Sequence, residues 1–335
     1  MDEASRYCRF VARDGSRCAD DAHTDGLCYW HSPEVVKDRP EDKAALEALA
    51  RSGRSMEGFS LAHARLAGIN LVRSGAEGGF DLTHADLYHA DLAGAHLFHI
   101  NLRGSSLMKA DLSGASMNQA DLTDANLLGT VFRDTKIEHT EWGDRLYQER
   151  EADRLQADGA PEQAQDQLQQ AEEIYRNLRK AAESRGQFEN AGQFFYKEMT
   201  MRRVQLPVWS ARWAFSKLVD IFCGYGEKPI RVVLFSLALI LFCGVLYALI
   251  GVNYEGTSIA IRPEHSLSQN LLNLLNCIYY SVVTFTTLGY GDMTPTGWAR
   301  PLAAAEAFVV CACRLLGGNR RHLPAPPIPG PRARS

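Results

Sequence analysis

Residues 80–102 read FDLTHADLYHADLAGAHLFHINL, and a large apolar residue recurs in this stretch at every fifth position. The period continues to Trp142 and fills thirteen successive positions: 82, 87, 92, 97, 102, 107, 112, 117, 122, 127, 132, 137 and 142. A helix repeats every 3.6 residues and a strand every two, so a period of five fits neither. A fixed short repeat predicts a solenoid whose apolar residues form continuous internal columns.

Units such as Ala85-Asp86-Leu87 and Ala120-Asp121-Leu122 resemble the pentapeptide-repeat family. The resemblance implies a right-handed quadrilateral β-helix with about twenty residues per coil. Two stacked columns would follow, Leu82–Leu102–Leu122–Trp142 and Leu92–Leu112–Phe132. Leu61, Leu66 and Leu71 keep the period one register out, which predicts an inserted residue near 75–79.

The charge of the repeat gives little functional information. Residues 80–142 hold nine acids and four bases, a net charge of −5, which is modest for a DNA mimic. His99 and His139 would share a column but stand roughly 10 Å apart, too far to share a metal ion. We interpret the repeat as a rigid spacer or docking rod for an unknown cytoplasmic partner or ligand.

A metal-ligand pattern precedes the repeat. Cys8, Cys18, Cys28 and His31 are spaced C-x9-C-x9-C-x2-H in a polar segment too small to bury a core. Three thiolates and one imidazole make a closed tetrahedral set suited to structural zinc. The spacing resembles the zinc motif of the plant WRC type. We predict a zinc cofactor here, with unmetallated thiols as the alternative.

Composition limits the class of protein and its compartment. The chain has 36 Lys+Arg against 40 Asp+Glu, a net charge of −4, which argues against a nucleic-acid partner. Residues 1–9 contain no apolar stretch, so no signal peptide is expected. A reducing cytoplasm would keep the thiols available to a metal. Residues 143–205, rich in Glu, Gln, Ala, Arg and Lys, predict two or three helices packed by Phe194, Phe195, Tyr196 and Met199.

The next segment changes to membrane character. Residues 232–252 are 21 uncharged residues, enough for a helix of roughly 30 Å that spans a hydrocarbon core. Bases cluster before this helix and are few in the loop after it, so the positive-inside rule makes the N-terminal part cytoplasmic. Aromatic residues alternate with Arg212 and Lys217 in residues 206–228, which predicts a helix lying in the membrane interface.

Residues 281–292 read SVVTFTTLGYGD, a segment similar to the potassium channel family. Thr287-Leu288-Gly289-Tyr290-Gly291 resembles the T-V-G-Y-G selectivity filter, with leucine in place of valine. The resemblance implies that the backbone carbonyls of Thr287, Leu288, Gly289 and Tyr290 bind dehydrated potassium. Gly291 would permit the turn out of the filter, while Thr286 and Asp292 would support it. Carbonyls that point one way need alternating backbone hands, so glycine suits the positions of positive φ.

The surroundings strengthen the assignment. Another GYG at residues 224–226 lacks the preceding threonines and comes before the membrane helix, so we do not assign it as a filter. Residues 276–286 are the predicted pore helix, with its negative C-terminal end toward the ion. Because one chain supplies one filter strand, a homotetramer in the lipid bilayer is implied.

The end of the sequence departs from the family pattern. A second membrane helix is expected at residues 299–318, but this run carries Glu306, stays apolar only to Cys313 and continues with Arg314 and a proline-rich stretch. The abrupt change indicates a reading-frame slip or a truncated gene. If the sequence is genuine, residues 301–318 would cross as a short helix with Arg314 snorkelling. The hydrophobic lining of an inner gate would then be hard to build.

The predicted fold class is a multidomain membrane protein: a right-handed quadrilateral β-helix, an α-helical connector and an all-α two-helix potassium channel pore module. The predicted segments are a zinc knot at 1–40, a linker or helix at 41–58, the repeat β-helix at 59–142, the connector at 143–205, the interfacial helix at 206–228, transmembrane helix 1 at 230–252, pore helix and filter at 267–298, transmembrane helix 2 at 299–318, and a disordered tail at 319–335.

The predicted function is a subunit of a multi-pass, potassium-selective channel in the cell membrane, with potassium as the permeant ion. No catalytic constellation suggests an enzyme, no arginine-periodic helix suggests voltage sensing, and no glycine-rich dinucleotide motif is present. Two alternatives remain. One is a non-conducting or truncated subunit, which the shortened last helix favours, and the other is a membrane-tethered scaffold in which the repeat rod acts.

Overall fold

The computed structural model describes residues 6–23, 25–73, 78–254 and 256–318. Two compact units divide the chain, Met1–Trp213 and Ala214–Ser335. The predicted tail at 319–335 lies outside the described residues.

The first unit contains a parallel solenoid. Bridges join residues twenty positions apart, as in Asp81↔Asn101 and Asn101↔Asp121, and four bridge positions (81, 86, 91 and 96) fall within one coil. The large apolar residue that follows each bridge position points inward, so that Leu82 and Leu102 are buried. The residue two places earlier, such as Ala85 before Leu87, is buried as well. The period of five therefore arises because each side of a coil contributes two inward side chains and one turn.

The turns explain the polar residue of each repeat. The Asp81 carboxylate accepts a hydrogen bond from the Thr83 amide at 3.0 Å, and Asp86 and Asp91 do the same two residues on. Such Asx turns pair a backbone donor that would otherwise lack a partner. The residue after each turn amide is left-handed, as at His84, with φ of 56°.

The register changes between the first coil and the second. Ser60 bridges Asp86, Arg65 bridges Asp91 and Asn70 bridges His96, so the partners lie 26 rather than twenty positions apart. The excess is six residues, one pentapeptide plus one residue, where the sequence suggested a single insertion. Residues 74–77, within this excess, lie outside the described residues.

The N-terminal segment covers the first coil. Glu47 of helix α1 (Pro40–Arg51) accepts a hydrogen bond from the Asn70 amide at 2.9 Å, and the segment before the helix supplies further acceptors to the coil. The amide of Ser60 donates to the Trp30 carbonyl at 2.8 Å, and that of Arg65 to the Lys37 carbonyl at 3.1 Å. The Trp30 ring also stacks on Phe59, with centroids 5.6 Å apart. This segment is therefore a cap for the open end of the solenoid.

Three helices follow the last coil: α2 (Tyr147–Ala157), α3 (Pro161–Ser184) and α4 (Phe188–Val204). Trp142, at the end of the repeat, contacts Phe132 edge-on at 6.1 Å and Phe194 of α4 at 5.6 Å. Of the aromatic residues predicted to pack this connector, Phe194 is buried, whereas Phe195 and Tyr196 are half-buried. The connector thus closes the second end of the solenoid.

The second unit is mainly helical. Helix α5 (Ala211–Cys223) is followed by a short 3-10 turn and then by α6 (Pro229–Ile250), α7 (Leu267–Phe285) and α8 (Ala299–Gly318). Strands β1 (Val252–Tyr254), β2 (Thr257–Ile259) and β3 (Met293–Pro295) form an antiparallel sheet in the order β2-β1-β3. Within the described residues, only α6 is both long and apolar enough for a membrane span.

Several boundaries differ from the predicted ones for local reasons. Helix α6 ends at Ile250 because Gly251 adopts a left-handed φ of 98°, and Val252 already pairs in β1. Helix α7 begins at Leu267, at the start of the segment predicted to hold pore helix and filter (267–298) and nine residues before the shorter pore helix predicted at 276–286. The Ser266 hydroxyl caps it by accepting from the Gln269 amide at 3.3 Å. Such an N-cap stabilises a helix start.

The internal columns carry a stability prediction. Leu107 has 0% of its surface exposed, so Leu107→Ala leaves a cavity and is expected to cost about 2–5 kcal/mol. Val131, which is 39% exposed, provides a control for which Val131→Ala costs under about 1 kcal/mol. Thermal unfolding of the purified full-length protein checks the pair, and equal shifts in Tm would contradict a packed column.

Candidate functional sites

The predicted filter segment has alternating backbone hands. Thr287, Gly289 and Gly291 have φ values of 59°, 60° and 80°, and the intervening Leu288 and Tyr290 are absent from the positive-φ residues of the described chain. Alternation of this kind turns successive carbonyl groups toward the same side of the strand, because each change of hand reverses the next peptide plane. A stack of carbonyl oxygens is the chemistry that a dehydrated monovalent cation requires.

The predicted filter segment is hydrogen-bonded to the end of α7. The Thr287 amide donates to the Thr284 carbonyl at 3.0 Å, and the Leu288 amide donates to the Val283 carbonyl at 3.1 Å. The Thr286 hydroxyl donates to the Val282 carbonyl at 2.7 Å. These bonds use carbonyls at the end of the helix, so they fix the start of the predicted filter segment to α7.

Asp292 and Tyr279 are hydrogen-bonded at the other end of the predicted filter segment. The Tyr279 hydroxyl, on α7, donates to Asp292 Oδ2 at 3.0 Å. The second oxygen of the same carboxylate accepts the Met293 amide at 3.0 Å. The strand is therefore fixed to α7 at both of its ends. The sequence analysis did not predict the hydrogen bond of Tyr279 to Asp292. The only signal for it was the position of a tyrosine in the apolar run before the predicted filter.

Loss of the Tyr279 hydrogen bond has an expected functional effect. Tyr279→Phe removes only the hydroxyl, and a net hydrogen bond is worth about 0.5–1.5 kcal/mol. If the segment is a potassium filter, we expect the preference for potassium over sodium to fall by roughly two- to ten-fold, since 1.4 kcal/mol is a factor of ten. Cation flux into liposomes measures the preference. An unchanged ratio in the assembled variant would contradict this support role.

The other GYG has a different geometry. Gly224, Tyr225 and Gly226 have φ values of 54°, 55° and 90°, three left-handed residues in a row. They form the turn between α5 and α6, where the Tyr225 hydroxyl lies 2.7 Å from the Ser216 hydroxyl. Consecutive left-handed residues make a tight turn instead of an extended row of carbonyls. The triplet alone thus does not define the filter.

The four predicted metal ligands converge on one point. The ligand atoms of Cys8, Cys18, Cys28 and His31 all lie within 4.8 Å of one another. Cys28 Sγ is 3.8 Å from Cys18 Sγ and 3.1 Å from His31 Nδ1, and Cys8 Sγ is 3.6 Å from the same nitrogen. Tetrahedral zinc with sulfur at 2.3 Å requires ligand separations of about 3.5–3.8 Å. The residues present therefore fit a metal ion.

Neighbouring groups orient the His31 ring, and burial affects the protonation of the Cys28 thiol. His31 Nε2 lies 3.0 Å from the Glu57 carbonyl, which places the ring proton on Nε2 and leaves the Nδ1 lone pair for a metal. The His31 ring also stacks on Phe10 at 3.9 Å. Burial raises the pKa of the Cys28 thiol to about 12, so a cation that binds it must displace a proton.

Lys37 fixes the chain just after the metal ligands. It is fully buried, and its ammonium donates to the Ser32 carbonyl at 2.6 Å. Burial lowers the pKa of Lys37 to about 8. A buried ammonium needs a fixed acceptor, so this bond fixes the loop from Ser32 to Lys37.

The solenoid histidines do not form a comparable cluster. His99, Gln119 and His139 line one shallow groove in three successive coils. His63 and His89, in adjacent coils, stack with ring centroids 5.4 Å apart. Within the described residues, the set of three or more potential ligands is the one at the N-terminal knot.

Two family models match the chain. One, described as "Pentapeptide repeats", matches residues 78–104 and 105–140 with eight copies, and the other, described as "Ion channel", matches residues 234–316. The protein thus joins pentapeptide repeats to an ion channel domain, which confirms both predicted resemblances. The ion channel match and the apolar helix α6 place the protein in the class of membrane proteins with an ion channel domain.

The relatives that match include a potassium channel protein and a bacterial protein. The chain is 32% identical over 115 residues to "Potassium channel subfamily T member 1" of Homo sapiens, covering 33% of this chain and 9% of the relative. It is 36% identical over 74 residues to "Protein LctB" of Bacillus caldotenax, covering 22% of this chain and 54% of the relative. The chain therefore spans only part of the length of these relatives.

Solved structures similar to the chain are pentapeptide-repeat proteins. Rfr23 from Cyanothece 51142 is 29% identical, covers 27% of this chain and 57% of its own, and has a TM-score of 0.24. Alr5209 from Nostoc is 29% identical, covers 30% of this chain and 83% of its own, and has a TM-score of 0.15.

Proposed function

We propose that this chain is the subunit of a homotetrameric, potassium-selective channel that conducts passively through the TLGYG segment. The alternation of left-handed residues at 287, 289 and 291 carries the proposal, because it lies within the segment matched as an ion channel. Carbonyls of Thr287, Leu288, Gly289 and Tyr290 would form the binding rings, and the Thr287 hydroxyl would complete the inner end. The relatives named as potassium channels support this ion over others.

A single strand cannot surround an ion, so the filter requires further copies of the chain. The side chains of Leu288 and Tyr290 are 58% and 65% exposed in the isolated subunit. On α7, Leu271, Leu272 and Leu275 are exposed as well. Large apolar side chains beside a polar filter are what neighbouring subunits would cover in a four-fold assembly.

The helices of the second unit, Ala214–Ser335, suggest how the protein would lie in the membrane. Helix α6 would be the first transmembrane helix. Helix α8 has the length of a span but carries Glu306 and Arg314, and it would be a second, less apolar span, with α7 as the pore helix between them. The basic residues before α6 would keep the N-terminus of this multi-pass protein cytoplasmic. Helix α5 would lie in the membrane interface, because Phe215, Leu218 and Ile221 are exposed beside Lys217. The cytoplasmic part would be a right-handed quadrilateral β-helix with a metal-holding cap.

The cap would contain a structural zinc ion. Cys8, Cys18, Cys28 and His31 would hold it, with no open position, so the metal would stabilise the fold and would not take part in conduction. The contacts of this cap with the first coil, from Trp30 to Phe59 and Ser60, support a structural role for the metal. The solenoid between its two caps would be the docking surface for a cytoplasmic partner.

Cation flux tests the proposed function. The full-length protein, reconstituted in liposomes, is expected to pass potassium or rubidium down a gradient and to exclude sodium. Chemical crosslinking of the same sample should end at a four-chain species. Tetramers without any potassium preference would overturn the channel proposal and favour the non-conducting subunit or the membrane-tethered scaffold.

A further inference from the structure

Glu306 is a buried acid to which the proposed conduction step gives no role. It lies on α8 with 2% of its surface exposed, in a helix that packs against both α6 and α7. An acidic side chain among apolar helices is costly unless its oxygen atoms are hydrogen-bonded. The partners of its two oxygens therefore show what the residue does.

Each carboxylate oxygen of Glu306 binds a different helix. Oε2 accepts from the Tyr247 hydroxyl at 2.7 Å, and Oε1 accepts from the Ser281 hydroxyl at 2.6 Å. Tyr247 belongs to α6 and Ser281 to α7, and both are fully buried. One side chain thus ties the first membrane helix, the pore helix and the last helix together.

The Ser281 end of this clamp lies close to the filter along α7. The helix ends at Phe285, and its last turn receives the first filter amides: Val283 accepts from Leu288 and Thr284 accepts from Thr287. A shift of α7 along its axis is therefore passed directly to the strand that carries the carbonyls. The hydroxyl of Ser281 is the point at which α8 can oppose such a shift.

A second contact fixes the Tyr247 end. The Tyr247 ring meets the Tyr280 ring edge-on, with centroids 4.8 Å apart, so α6 and α7 also pack beside the carboxylate. Gly244, one turn earlier on α6, is in close contact with Ile278, where an added Cβ would lie 3.0 Å from the Ile278 Cα. The hydrogen bonds of Glu306 thus lie beside a close contact between α6 and α7. This contact limits how far either helix can move.

We propose that Glu306 is a positioning residue for the selectivity filter and that it acts through Ser281 and Tyr247. This inference rests on the proposed conduction function. It predicts that the number of hydroxyl–carboxyl bonds sets the selectivity of the filter. A residue that only filled space would respond to side-chain volume instead.

Four substitutions separate these possibilities in the full-length, reconstituted protein. Ser281→Ala and Tyr247→Phe each remove one hydroxyl at almost constant volume, and each is expected to lower the potassium-to-sodium permeability ratio by about three- to ten-fold. Glu306→Leu should lower it at least as much. Glu306→Gln keeps an acceptor for one hydroxyl and a donor for the other, so it should stay within about two-fold of the unsubstituted protein.

Ser268→Ala is the matched control, because Ser268 is an exposed serine near the start of the same helix and its hydroxyl contacts the Ser266 hydroxyl, at 3.0 Å, instead of Glu306. Its permeability ratio should not change. Hydrogen exchange over residues 282–292 provides a readout that does not depend on flux. Exchange there should be faster in Ser281→Ala and unchanged in Ser268→Ala.

The outcomes distinguish this inference from the proposed function. A selective parent protein whose Ser281→Ala and Tyr247→Phe variants keep the same ratio and the same exchange would overturn the positioning role. A change only in the amount of assembled protein would overturn it too. A parent protein with no potassium preference, but with faster exchange over 282–292 in Ser281→Ala, would support the clamp and overturn the channel proposal.

Discussion

A Gly289→Ala variant is expected to lose potassium-selective flux by at least about 100-fold while it still assembles. Gly289 has a φ of 60°, and a side chain in the left-handed region costs about 1–2 kcal/mol per residue. Four copies around one axis would raise the cost to about 4–8 kcal/mol for a filter with all carbonyls inward. An alternative backbone without the carbonyl stack would then be favoured, and each 1.4 kcal/mol is a factor of ten.

Gly226→Ala is the control for this substitution. Gly226 also has a positive φ, 90°, belongs to the other GYG and, like Gly289, has open space around an added Cβ. The backbone cost per chain is therefore similar, but the residue lies in a turn between helices. Flux of Gly226→Ala should remain within about two-fold of the parent protein, as expected for a surface change. Equal losses in both variants would show that the defect is one of folding and would remove the argument for the filter.

The repeat was the part of the fold most accessible from sequence. Each inward position, such as Leu82 or Leu102, obeys the same local rule, so thirteen agreeing positions define the coil without any long-range information. The six-residue excess before Phe80 was less accessible, because a register shift of one residue looks the same whether one or six residues are added. Coil pairing, as in Ser60 with Asp86, resolves it.

The candidate sites also differed in how far the sequence could predict them. The cysteines and His31 indicated a metal-ligand set from sequence alone, because three cysteines and one histidine in a short polar segment are typical of a zinc site. The roles of Tyr279 and Glu306 depend on contacts between helices, and neither residue belongs to a local motif. Glu306 gave one signal, a charge inside an expected membrane helix, but its partners Tyr247 and Ser281 lie 59 and 25 positions away.

The metal-holding cap carries the other large expected effect. The purified full-length protein should contain one zinc ion per chain, and His31→Ala or Cys28→Ser should lose it. Structural zinc contributes about 10–16 kcal/mol in isolated fingers, more than a segment of this size gains from burial. The knot is therefore expected to unfold without its metal. The amount of zinc bound per chain and the Tm of thermal unfolding measure the loss.

Loss of the knot should also weaken the solenoid, because the first coil depends on it. Ser60 and Arg65 would lose the carbonyl acceptors of Trp30 and Lys37, and Phe59 would lose the stacked Trp30 ring. Uncovering one such aromatic pair costs about 3 kcal/mol. At 2–4 °C per kcal/mol for a unit of this size, Tm should fall by about 6–12 °C.

His23→Ala is the matched control for the cap, since His23 belongs to the same segment but is not among the four converging ligands. It should keep its zinc and lose little stability. Hydrogen exchange gives the decisive comparison: the amides of Ser60 and Arg65 should lose protection in His31→Ala, whereas the amide of Ser116, which bonds within the solenoid to Ala95, should keep it. Unchanged protection of the first coil after zinc loss would mean that the knot is an independent module. The metal would then not stabilise the solenoid.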